Sequence, residues 1–157
     1  MLKALKKIGL IGGTFDPVHN GHLHLAAQAQ DFFDLEKVIF IPAFRSPHKL
    51  AIQPESCKHR LAMLTIALEN QPTFSINKME IEKQAVSFTI DTLKALKSEH
   101  SDWELFLILG ADAFQAIDTW KQSPQLFDFC NILVGTRPGA DFTVSDSVKK
   151  KNFAEHP

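Results

Sequence analysis

The sequence predicts an α/β protein, a doubly wound parallel sheet with helices on both faces. Three observations predict it. Short, almost wholly apolar runs of strand length alternate with longer helical patterns. The strand runs lack the polar alternation of a sheet with one wet face. A glycine turn, Gly12-Gly13, separates the first strand run from the helical pattern that follows.

Taken in order, Leu5–Ile11 reads as a strand and His22–Phe33 as a helix. KVIFI at Lys37–Ile41 is a buried strand, and Pro54–Asn70 is a helix with Leu61, Leu64 and Leu68 on one face. Phe74–Ile81 reads as a strand, Thr89–Glu99 as a helix, and ELFLIL at Glu104–Leu109 as a strand. Short helices over Ala113–Asp118 and Pro124–Phe129 lead to a last strand at Asn131–Gly135. Such βαβ alternation makes the sheet Rossmann-like. Ligands of such sheets sit at the carboxyl ends of the strands, where the strand order reverses. The loops that matter are therefore Gly12–Asn20, Pro42–Gln53, Gly110–Asp112 and Thr136–Gly139. The polar stretch Ser145–Pro157, with Lys149-Lys150-Lys151, reads as a loop or frayed end.

At 157 residues, 45% apolar and 22% charged, the chain fits one domain, residues 1–157. A net charge of −1 gives no bulk attraction for nucleic acid or membrane, so any anion site must be local. Cys57 and Cys130 have no C-x-x-C spacing and read as reduced thiols. No run approaches a membrane span, and the expected setting is the cytoplasm.

The stretch KIGLIGGTFDPVHNGHLHL, Lys7–Leu25, carries the most chemistry. A helix start offers unpaired N–H groups and the positive end of a dipole, which attract phosphate. Gly12 and Gly13 let the main chain approach a ligand. Neither G-x-G-x-x-G nor G-K-[ST] can be read here, so this is a third kind of phosphate loop. His19 and His22, at the helix entrance, are candidate phosphate donors, and phosphate would favour their protonated form. His24, two residues on, faces elsewhere and reads as surface. Asp16 reads as a turn residue before Pro17, and Thr14 is better placed for a ligand.

In the second loop, PAFRSPHK, Arg45, His48 and Lys49 are donors without a nearby acid, and Lys49 is the strongest phosphate candidate. Arg60 is either a surface residue or a support. Ser87 or Thr89 could cap a helix. Asp112, after Gly110, could equally cap a helix or meet a ribose hydroxyl. Trp120 is either core or a stacking face in a polar stretch.

GGTFDPVHNGH, PAFRSPHK, SFTIDTL, LGADAF, Trp120 and Val134–Gly139 occur in that order, and together they resemble the bacterial nicotinate-nucleotide adenylyltransferases of the nucleotidylyltransferase superfamily. The superfamily hallmark [H/T]-x-G-H stands at His19–His22. The resemblance implies adenylyl transfer from ATP to nicotinate mononucleotide, with Mg²⁺ accompanying ATP and no dedicated metal ligands. It implies catalytic roles for His19, His22 and Lys49. The ATP side would be formed by Gly12, Gly13, Thr14, Phe15, His19, Gly21, His22, Gly110 and Asp112, and the mononucleotide side by His48, Lys49, Thr89, Trp120 and Arg137. Phe88 stands where the family usually has tyrosine. No S-T-x-x-R motif follows Gly139, so the domain is expected to lack its C-terminal segment. Nicotinamide mononucleotide or phosphopantetheine as acceptor, and a nucleotide-binding protein without turnover, remain the alternatives.

Overall fold

Strand β1 (Lys6–Gly13) lies at the middle of the sheet, paired in parallel with β2 (Lys37–Pro42) on one side and β4 (Trp103–Gly110) on the other. The computed structural model describes residues 4–51, 53–136 and 142–143. Among them, β3 (Phe74–Ile76) extends the β2 side, and β5 (Asn131–Gly135) and β6 (Phe142–Thr143) extend the β4 side, giving the order β3-β2-β1-β4-β5-β6. The first five strands are parallel, and β6 runs antiparallel to β5. The chain leaves β1 toward opposite edges in its two halves, so the order reverses between β1 and β4, and a crevice opens there at the carboxyl ends.

The strand runs are apolar because both faces of the sheet are covered. Ile8, Leu10, Ile39, Ile41, Leu105, Leu107, Ile132 and Val134 point one way, toward Ile90, Leu93 and Leu96 of α4 (Thr89–Glu99) and Leu126 of α6 (Ser123–Phe129). The alternate residues Ile11, Val38, Phe40, Phe106, Ile108 and Leu133 pack with Ala26, Ala29 and Phe33 of α1 (Asn20–Phe33) and Leu64 of α2 (Cys57–Ala67). The doubly wound sheet expected from the sequence is the one observed.

Three details differ from the sequence expectation. β3 stops at Ile76 because Asn77 turns the chain: its amide donates to the Phe40 carbonyl at 2.9 Å, and its side-chain oxygen accepts from the Met79 amide at 2.9 Å. Met79 and Ile81 therefore belong to a short helix, α3 (Met79–Lys83), and not to a strand. Helix α2 is shorter than Pro54–Asn70, because Ser56 caps it by accepting from the His59 amide at 3.2 Å. The antiparallel strand β6 has no counterpart in the sequence reading. Arg137 and the stretch Ser145–Pro157 lie outside the described residues.

Gly9 marks where α1's side of the sheet is tightest. A Cβ there would fall 2.8 Å from Leu35 Cδ1, 3.1 Å from Ile108 Cδ1 and 3.2 Å from Val38 Cγ2. Gly9→Val should therefore destabilise the fold by about 1–3 kcal/mol through overpacking. Denaturant unfolding of the two chains checks this, and unchanged stability would mean that the layer has slack.

Candidate active site

The loop from Gly12 to Gly21 is held by an exchange between two imidazoles. His19 is the N-cap of α1, and its Nδ1 accepts from the Gly21 amide at 3.1 Å. Nδ1 of His22 accepts in return from the His19 amide at 3.1 Å. This is a capping box built from histidines in place of a hydroxyl and a carboxylate. The rings stack with centroids 3.8 Å apart. Gly21 is required by the arrangement, since a Cβ would lie 2.9 Å from Cε1 and Nδ1 of His19.

A ring nitrogen that accepts a backbone N–H carries no proton, so each neutral imidazole keeps its proton on Nε2 and can donate from there. Burial above all, then the His19 ring and the Lys49 ammonium, lowers the His22 pKa from 6.5 to about 4. In the free chain His22 is therefore neutral at pH 7, with its proton on Nε2. Phe15 supports it edge-on, with ring centroids 5.0 Å apart.

Two clefts share this histidine pair. The larger, about 700 Å³, opens at the reversal point between Gly12 of β1 and Gly110 of β4 and is also lined by Asp112, Leu25, Gly135 and Thr136. The smaller, about 400 Å³, lies between the Gly13–Pro17 loop and Arg45, Ser46 and Lys49 of the second loop. Of the residues singled out in the sequence, Gly12, Gly13, Thr14, Phe15, His19, Gly21, His22, Lys49, Gly110 and Asp112 all line one cleft or both. Phe15 does so around a buried side chain, 2% exposed, whose ring belongs to the core. His48, Thr89 and Trp120 line neither cleft. His48 and Trp120 face each other instead, with ring centroids 5.6 Å apart and planes 33° from parallel.

Several bland alternatives are removed by the geometry. Asp112 does not cap: the N-cap of α5 (Ala111–Gln115) is Gly110, without a side-chain bond, and Asp112 is exposed at the wall of the larger cleft. Neither Ser87 nor Thr89 caps α4, whose N-cap is Phe88 and which has no side-chain cap bond. Trp120 is half-buried against one core cluster. Asp16 is more than a turn residue, since its Oδ2 accepts from the Glu55 amide at 2.9 Å and ties the first loop to the approach to α2.

His24 is exposed, as its sequence reading as a surface residue expects, and it also lines the larger cleft. Arg60 is a support and not a surface residue, 1% exposed. No local sequence signal separates those readings for an arginine in a helix.

The arrangement is that of an α/β protein with N–H donors at a helix start beside the reversal point of a parallel sheet, where anions are attracted. The chain belongs to the cytidylyltransferase-like family, whose model matches residues 10–155. Two similar curated proteins carry the name of the group that the motifs resemble. A protein of Geobacter sp. (strain M21) named "Probable nicotinate-nucleotide adenylyltransferase" is 43% identical over 137 residues, 87% of this chain and 63% of that protein. One of the same name from Clostridium perfringens (strain 13 / Type A) is 42% identical over 147 residues, covering 94% and 72%. The chain thus spans under two thirds of the length of the Geobacter relative. The solved Plasmodium falciparum nicotinic acid mononucleotide adenylyltransferase, complexed with NaAD, shares the fold with a TM-score of 0.75 at 22% identity, over 94% of this chain and 71% of that one.

The depressed His22 pKa sets an acid limit on the loop. Because the folded value lies below the unfolded one, the unfolded chain binds more protons between about 4 and 6.5. Stability is therefore full above that window and falls as the pH drops through it. NMR titration should place the His22 midpoint well below 6.5 in the free chain, and the acid-side slope of stability should shrink in His22→Ala. A His22 midpoint near 6.5 would contradict the assignment.

Proposed function

We propose that the chain carries adenylyl transfer from ATP to nicotinate mononucleotide, giving deamido-NAD and pyrophosphate, a step of NAD biosynthesis. The observation that carries this is the reciprocal histidine cap, whose two rings line both clefts at the reversal point. The names of relatives at 41–43% identity support the reaction class that this donor set suits.

The adenosine of ATP fits the larger cleft between Gly12 and Gly110, with Asp112 at its wall. Its phosphates pass the histidines toward Lys49 in the smaller one. A phosphate oxygen of the mononucleotide attacks the α-phosphorus; that P–O bond forms as the bond to the β-phosphate breaks, and pyrophosphate leaves with the electron pair. The nucleophile is already an anion at pH 7, so the chain needs no general base. Its own task is alignment and charge stabilisation, through Nε2–H of His19 and His22 and the Lys49 ammonium. Among the described residues there is no cluster of three or more metal-ligating His, Cys, Asp or Glu side chains, and the cleft donors suit phosphate oxygens. Mg²⁺ would accompany ATP as part of the substrate and would supply neutralisation of phosphate charge.

On the acceptor side, Trp120 offers a flat face and Thr89 a hydroxyl at the uncapped start of α4. Arg137 remains a candidate for the mononucleotide. No helix among the described residues is long and apolar enough to cross a membrane. A cytoplasmic setting suits Cys57 and Cys130, both free thiols.

With ATP, Mg²⁺ and mononucleotide saturating, His22→Ala should lower kcat by about 10²–10³-fold while leaving the fold intact, since it removes a donor aimed at charge that is redistributed in the transition state. Near-normal turnover would remove His22 from the machinery. Acceptor selection separates differently. Trp120→Ala should reduce kcat/KM for nicotinate and nicotinamide mononucleotides alike, because both rings present the same face. Thr89→Val should mainly narrow the preference for nicotinate. Unchanged acceptor kinetics in Trp120→Ala would return the tryptophan to the core.

A further inference from the structure

The guanidinium of Arg60 is buried beneath both phosphate-side loops with all five of its N–H donors used. Nε donates to the Glu55 carbonyl at 2.9 Å, and Nη1 donates to the carbonyls of Thr14 and Ala43, both at 2.7 Å. Nη2 donates to the Phe44 carbonyl at 3.2 Å and to Cys57 Sγ at 3.2 Å. Thr14 belongs to the first loop, which leads into the histidine cap. Ala43 and Phe44 begin the second loop, which carries Lys49. Glu55 lies at the approach to α2, and its amide is also held by Asp16 of the first loop at 2.9 Å. One side chain thus ties three separate backbone segments at one point.

A buried cation ordinarily has a carboxylate partner, because taking it out of water is costly. Among the described residues Arg60 has none: its partners are four carbonyl oxygens and a thiol. Dipoles hold the charge without cancelling it. A structural need to join three loops could be met by neutral groups or by an ion pair. An uncancelled cation beneath a cleft lined by His19, His22 and Lys49 serves, in addition, to hold an anion above it.

We propose that Arg60 is a positioning residue for the phosphate chain, fixing the spacing between the histidine cap and Lys49 so that one polyphosphate engages both loops. The inference rests on the adenylyl-transfer reading in taking ATP as the polyphosphate. It goes beyond that reading in assigning the register of the two loops to one buried side chain. Lysine cannot replace it: an ammonium has three donors radiating from a point, against five in a planar fork.

The test is a double-mutant cycle on ligand binding, with ATP and inorganic tripolyphosphate as probes. Arg60→Lys should weaken both about tenfold in the native background, and less than about twofold when Lys49→Ala has already removed the second loop's contact. Lys58→Ala, exposed on the same helix, should show no such coupling. Equal losses in the native and Lys49→Ala backgrounds would overturn the inference while leaving the functional reading in place, because a merely structural role weakens both alike. If the native chain binds neither probe, the functional reading itself fails and takes the inference with it. Arg60→Gln replaces Arg60→Lys if the latter does not fold. If neither variant folds, Arg60 belongs to the fold alone and the inference is wrong.

Discussion

The site depends on how α1 begins. A helix start usually satisfies its first amides with a hydroxyl or a carboxylate, groups that either compete for the helix end or repel an incoming phosphate. Here the acceptors are Nδ1 atoms of His19 and His22. Spending Nδ1 on the backbone fixes the protons on Nε2, so one interaction both finishes the helix and creates two donors. It also makes neutrality useful, because a neutral ring is needed to accept the amide and can still donate outward. The low His22 pKa and the stacked rings follow from the same packing.

Around that start, topology supplies the rest. Parallel pairing of β1 with both β2 and β4 brings the carboxyl ends of three strands together, and each ends in a different loop that lines a cleft. Gly12 and Gly110 keep the crevice open, and a Cβ on Gly110 would meet nothing within 4 Å. Close packing does not require a glycine there. The second loop is shaped by different means: Arg45 donates to the Leu50 carbonyl, and the His48 amide donates to Ser46 Oγ at 3.2 Å. The two clefts meet at the histidines because those are the side chains that α1's first turn presents to both.

The fold was largely legible in the sequence because each parallel strand is buried on both faces and so reads as an unbroken apolar run. It became illegible where local polar contacts decide. Asn77 ended β3 early through a side-chain turn, and periodicity could not tell Met79 and Ile81 on a helical turn from the same residues on a strand. The glycine turn and the helix start after it were legible because two glycines and two histidines flank them. Asp112 and Thr89 were ambiguous because capping and ligand binding call for the same residue types. Arg60 was ambiguous because its partners are backbone carbonyls, 5 to 46 residues away in sequence, which leave no trace in residue identity. His24, exposed as expected, also lines the larger cleft because a cleft of this width takes in more of the helix than one row of side chains.

In the proposed function a single nucleotide lies across the β1–β4 reversal point with its phosphates on the histidine cap. Titrating ATP with Mg²⁺ into isotope-labelled chain and following amide and imidazole NMR resonances tests it directly. Shifts should concentrate at Gly12–His22, Ser46–Lys49 and Gly110–Asp112, with the His22 titration midpoint moving upward as phosphate charge arrives. Saturable binding whose shifts fall elsewhere on the sheet, or a His22 midpoint that does not move, would contradict it.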